Sequence, residues 1–194
     1  MTITMQDARR AALDVLYDEY AKITVLRQLY PGKRLVRGAG PLNSPLVVVG
    51  EAPGQDEDRQ GRPFVGASGQ LLQDLFRRAG LPWDMCYVMN VLPWRPPANR
   101  TPYPFEVQAS WLRVSAEIAV IDPLVVVAAG AVAWKGVTAG DHGSFPDARF
   151  HWSELNGRRL LAIPHPSAIL RTPRDDDRAR LEAATVGALG QARA

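Results

Sequence analysis

The chain has 194 residues, 46% of them hydrophobic, enough to fill the core of one α/β domain spanning 1–194. No apolar run reaches the roughly 18 residues of a membrane span, and Met1 to Asp7 lack the basic and apolar regions of a signal peptide. A cytoplasmic protein with no membrane partner is therefore expected. The lone cysteine, Cys86, cannot form an internal disulfide or a cysteine-ligated zinc or iron–sulfur site, so no metal or cofactor is expected. The net charge of +3 is mild, but 20 Arg stand against 3 Lys. Arginine grips phosphate bidentately and stacks on bases, which suits nucleic acid. A G+C-rich genome accounts for the same split.

Residues 5–29 carry Leu13, Leu16, Tyr17, Tyr20, Ile23 and Leu26 at helical spacing, and Pro31-Gly32 ends the run. A turn-rich stretch leads to Leu46–Gly50, a β-branched run that reads as a buried strand. Residues 51–67 read as a Gly/Pro-rich loop, after which Ser68 is expected to cap a helix striped with Leu71, Leu72, Leu75 and Phe76 and closed by Gly80. Cys86 to Val91 is a second strand. A proline-studded loop leads to a helix over about 105–121. Leu124 to Ala129 is a third strand, and Gly130 opens a short helix. Residues 138–150 carry turn signals only. A strand over Arg159–Ile163 and a helix from Asp175 to Leu189 complete the chain; Asp175, Asp176 and Asp177 suit that helix's N-terminus, where negative charge is stabilising.

Alternating strands and helices imply a three-layer α/β/α fold with a mostly parallel central sheet. In such sheets ligands bind beyond the carboxyl ends of the strands. The loops after the strands begin at Glu51, near Asn90, at Gly130 and at Pro164-His165, so order alone predicts that Glu51, Asn90 and His165 converge.

Each candidate there has a chemical reason. Gly50-Glu51-Ala52-Pro53-Gly54 and Gly61-Arg62-Pro63-Phe64-Val65-Gly66 fix an irregular backbone close to whatever binds, and match neither a phosphate loop nor a dinucleotide fingerprint. Phe64 either anchors that loop or offers a stacking face. Asn90 interrupts an apolar strand at its end, as a turn residue or as an amide reading the edge of a base. His165, held between Pro164 and Pro166 on a rigid loop, suits a functional imidazole. His142 and His151 read as surface residues. Arg95, Arg100 and Arg171 put positive charge around the rim.

Together, Gly50–Gly54, Gly61–Gly66 with Gly69-Gln70-Leu71-Leu72, Asn90 with Arg95–Arg100, and His165–Arg171 resemble, in order and spacing, the motifs of the family-4 (thermostable type) uracil-DNA glycosylases. The resemblance covers roughly residues 20–190 and implies hydrolysis of the N-glycosidic bond of uracil flipped out of DNA, in base-excision repair; a monomer is expected. It implies that Phe64 stacks on uracil, Asn90 bonds its N3/O4 edge, the Gly50–Ala52 backbone binds the base, and His165 donates to O2. Ile169 or Leu170 would wedge into the gap, and Arg171 with Arg100 would face the DNA. Ala52 stands where better-known uracil-DNA glycosylases carry aspartate, so Glu51 is the first choice to orient water and Glu57 the second.

The family typically holds a [4Fe–4S] cluster on four cysteines. Here those positions fall near Ile23 to Leu26, at Trp94 and near Ser110, with no cysteine among them. A clusterless branch is inferred, with apolar packing around Trp94 and Trp111 in its place. Two competing readings are a protein that captures uracil in DNA without cleaving it, and a glycosylase for another damaged or modified base. A hydrolase of free nucleosides fits the arginine rim less well.

Overall fold

A computed structural model describes residues 3–193. Strands β1 (Leu46–Gly50), β2 (Cys86–Asn90), β3 (Val125–Ala129), β4 (Trp152–Leu155) and β5 (Arg158–Ile163) form one sheet of order β2-β1-β3-β5-β4. The first four in that order run parallel, and β4 pairs antiparallel with β5 at the edge.

Side chains alternate between the faces with the period of two that a pleated strand imposes. Val47, Val49, Tyr87, Met89, Val126, Ala128, Leu160 and Ala162 point into one core. That core is covered by α1 (Met5–Ala21), α5 (Pro104–Ile121) and α6 (Ala131–Thr138). Leu46, Val48, Cys86, Val88, Val125, Val127, Leu161 and Ile163 face the other core, under α4 (Ala67–Arg78), α8 (Pro166–Leu170) and α9 (Asp175–Gly190). This is the expected three-layer α/β/α arrangement. Strands buried on both faces carry near-continuous apolar runs, which is why β1, β3 and β5 were legible.

Several elements differ from expectation. The run 5–29 is two helices, α1 and α2 (Thr24–Leu29), broken at Lys22-Ile23. The break delivers Leu26 to a buried site. The loop 51–67 contains α3 (Gln55–Gln60), and Gly66 rather than Ser68 is the N-cap of α4. Within 138–150 lies the short helix α7 (Phe145–Ala148). Strand β4 went unread because its residues are half exposed and unpatterned, although Asn156-Gly157 after it is a two-residue hairpin signal with φ of 51° and 77°.

A third cluster fastens the N-terminal helices to the segment after β2. Trp94 stacks on Tyr20 at 5.3 Å and on Tyr30 at 5.7 Å, with Leu26 and Leu92 packed alongside. Such ring pairs add about 0.5–1.5 kcal/mol each beyond the area they bury. Hydrogen bonds close the cluster: the Tyr20 and Ser110 hydroxyls lie 2.6 Å apart, and the Tyr30 hydroxyl donates to Glu106 Oε1 at 2.5 Å.

Candidate active site

The carboxyl ends of β1, β2 and β5 open into a cleft of about 480 Å³ lined by Glu51, Phe64, Asn90, His165 and Arg171, among others. The residues that topology alone was expected to bring together do converge. Gly130 stands directly behind His165: its φ is +98°, and a Cβ there would lie 2.8 Å from His165 Cβ. Only glycine fits that backbone and that approach.

His165 lies not in a loop but at the N-cap of α8, with Pro166 at the first helical position, where a missing N–H costs nothing. The Ser167 backbone N–H donates to His165 Nδ1 at 3.2 Å, and the Ser167 hydroxyl lies 2.7 Å from the same nitrogen. An amide N–H can only donate, so Nδ1 is an acceptor and the proton of a neutral ring sits on Nε2. Burial pushes the imidazole down to about 4, and the positive charge of Arg171 pushes the same way. At neutral pH His165 is therefore an uncharged Nε2–H donor.

Asn90 is buried at the end of β2, paired in register with Gly50. A Cβ on residue 50 would lie 2.4 Å from Asn90 Oδ1 and 2.6 Å from Phe64 Cζ, so glycine there is what admits both side chains. Behind Asn90 lies a group that sequence reading missed. Arg113, fully buried on α5, donates from one terminal nitrogen to the carbonyls of Asn90 at 2.6 Å and Val91 at 2.7 Å. Its other terminal nitrogen pairs with Glu117, which also accepts from the hydroxyls of Tyr17 and Tyr87 at 2.8 Å each. A charge this deep is tolerable only because it is paired and hydrogen-bonded. The spacing of Arg113 and Glu117 at i, i+4 was visible, but their burial was not.

Phe64 both anchors and lines. Its ring packs edge-on against Trp83 at 5.9 Å, and its remaining surface borders the cleft. Its φ of +56° is costly for a bulky residue and is held by packing around it.

Glu51 and Glu57 separate sharply. The Glu51 carboxyl is raised above the usual carboxylate range by burial, an effect partly offset by Arg171. Glu57 instead accepts three backbone N–H bonds, from Gly54 at 3.0 Å, Val65 at 2.9 Å and Gly66 at 2.7 Å. It clamps the two halves of the 50–66 loop to each other. The signal was half of a capping box, an acid three residues after the N-cap Gly54.

The rim is asymmetric. Arg171 is exposed and lines the cleft. Arg100, across from it in sequence order, has both terminal nitrogens on the buried Glu106 carboxylate at 2.8 Å. Arg95 bonds Asn99 at 2.7 Å. Ile169 is fully buried, whereas Leu170 is 41% exposed and is the member of that pair that reaches solvent. His142 and His151 are exposed, as expected.

Comparison with known proteins gives the family. Residues 37–186 match the family model of the uracil DNA glycosylase superfamily. The chain belongs to that superfamily. It is 37% identical to the type-4 uracil-DNA glycosylase of Thermotoga maritima, over 84% of this chain and 85% of that protein. It is 36% identical to the type-4 enzyme of Pyrobaculum aerophilum over 73% of this chain and 76% of the other. It is equally identical to that of Archaeoglobus fulgidus over 71% and 73%.

The positions at which type-4 glycosylases are expected to hold a cluster do not fit one here. Leu26 and Trp94 are packed into the aromatic cluster, and the Ser110 hydroxyl is hydrogen-bonded to the Glu106 carbonyl at 2.7 Å. Cys86 lies in the core on the α4 side, and burial raises its thiol to about 12, far from the thiolate a metal needs. Among the described residues no three His, Cys, Asp or Glu side chains group as metal ligands. Tyr20 and Tyr30, not Trp111, partner Trp94; Trp111 is 37% exposed because it lies on the outer side of α5.

Proposed function

We propose that this chain is a monofunctional uracil-DNA glycosylase, acting as a single-domain monomer in the cytoplasm on uracil flipped out of DNA. The observation that carries the reading is His165, a neutral imidazole whose Nδ1 is held by Ser167, leaving Nε2–H as a donor to the cleft. Leaving-group chemistry asks for such a donor. As the N-glycosidic bond breaks, its electron pair moves onto the base, and a fixed donor at O2 stabilises that charge. A neutral donor does this without having to part with its proton.

The other groups fall into place around it. The Asn90 amide bonds the N3/O4 edge of uracil, and Phe64 stacks on the ring. The backbone of Gly50 to Ala52 closes one side. Glu51 orients the water whose hydroxyl reaches C1′, and its proton ends on the departing base. Leu170 occupies the gap left in the stack, Arg171 meets phosphate, and Arg100 stands on the rim beside Glu106. No step passes through a metal cluster.

The test is release of free base from single-stranded, U:G and U:A oligonucleotides, with His165→Ala and Asn90→Ala in parallel. Uracil release impaired by both substitutions is expected. Selective binding of uracil-DNA without release would replace the reading with capture, and neither release nor binding would point to another base.

A further inference from the structure

Beside the cleft lies a feature that this chemistry does not use. Tyr103 and Phe105, at the start of α5, are 49% and 48% exposed, while Val107, Val114, Ile118 and Ile121 of the same helix are buried. Their rings are stacked on one another, 6.0 Å apart and inclined by 15°. The Arg100 guanidinium, which lines the cleft, lies over the Tyr103 ring at 3.8 Å. The result is a ladder of planar groups that starts at the cleft wall and runs outward: Arg100, Tyr103, Phe105.

The ladder is held rigidly. Glu106 is fully buried, yet its carboxylate serves this corner: it accepts from both terminal nitrogens of Arg100, from the Tyr103 backbone N–H at 2.6 Å and from the Tyr30 hydroxyl. Pro104 fixes the backbone between the two rings. Exposed aromatic faces, preorganised next to an arginine, are what unpaired nucleobases stack on. Every base has a π-face, and a rigid ring loses little entropy when one is seated there.

We propose that Phe105, backed by Tyr103, forms a stacking platform for the unpaired nucleobase next to the flipped nucleotide on the same strand. The inference rests on the glycosylase reading and adds a subsite to it. The occupant is a base rather than a phosphate because the arginine at the head of the ladder is already neutralised by Glu106. What remains facing solvent is aromatic.

The experiment compares Phe105→Leu, which keeps apolar bulk and loses the π-face, with the unaltered protein. Two single-stranded oligonucleotides are used: one with ordinary bases around a central uracil, the other with base-less residues on both sides of it. The expected result is a rise in KM of about tenfold on the first substrate, which shrinks to less than about twofold on the second. Tyr103→Ala should behave alike, Phe105→Trp should restore the affinity, and thermal midpoints check folding. An equal KM change on both substrates, or none on either, would overturn the platform. Absence of base release by the unaltered protein would count against the glycosylase reading instead. The platform is then judged by the same comparison read as binding anisotropy.

Discussion

His165 is held by its own neighbours: Pro166 at the first helical position and the amide and hydroxyl of Ser167 on its Nδ1. Asn90 is held from behind by Arg113, 23 residues away, whose charge is met by Glu117, a carboxylate that also accepts from the hydroxyls of Tyr17 and Tyr87. One wall is a short local motif, and the other is the end of a buried polar network that reaches α1, α5 and β2. A local motif can fail without harm to the fold. A buried ion pair cannot, because losing one partner leaves the other charge stranded in the core.

The largest effect follows from that difference. Arg113→Met should lower unfolding stability by about 3–5 kcal/mol in urea titrations, because Glu117 is left unpaired. Arg113→Met with Glu117→Leu should recover part of the loss. If the single variant is as stable as the unaltered protein, the two walls are not built differently.

His165→Ala should do the opposite. Removing a charge-stabilising donor costs about 10²–10³ in single-turnover base release, while the unfolding free energy from urea titration changes by less than about 1 kcal/mol near neutral pH. Its pH dependence sharpens the point. The folded pKa of about 4 lies below the ordinary value near 6.5, so the unfolded chain takes up a proton first as pH falls. Stability is then full above pH 6.5 and declines by up to about 3 kcal/mol towards pH 4. That share of the acid loss should be absent in His165→Ala.

Two smaller effects concern the groups between the walls. The acid limb of kcat/KM should lie above the usual carboxylate range, since burial raises Glu51, with activity lost as pH falls through that value. Glu51→Gln should flatten the limb and lower the plateau. Arg171→Ala should raise KM on all DNA substrates alike and reduce the slope of log affinity against log salt by about 1. Arg100→Ala, whose charge is already paired with Glu106, should change that slope far less.

Much of this molecule could be read without its structure, and the reason is local in each case. The strands β1, β3 and β5 are continuous apolar runs, and parallel order then forces Glu51, Asn90 and His165 to one edge of the sheet. Glycine at 50 and 130 was visible as a residue, although the side chains it makes room for were not. Glu57 could be counted among loop acids, but nothing in the order of residues aims its carboxylate at three amides.

The amino-acid sequence by itself determined the layering of the fold, the edge at which the site forms and the identity of the groups that meet there. It also determined that no set of thiolates is available for a cluster, since Cys86 stands alone. Only the tertiary structure decided protonation and support. Whether a histidine is neutral, which of its nitrogens keeps the proton, and whether an arginine is free or neutralised depend on what distant segments bring within about 3 Å. Periodicity reports which face of an element is buried, and it carries no record of which polar atoms meet once that face is closed.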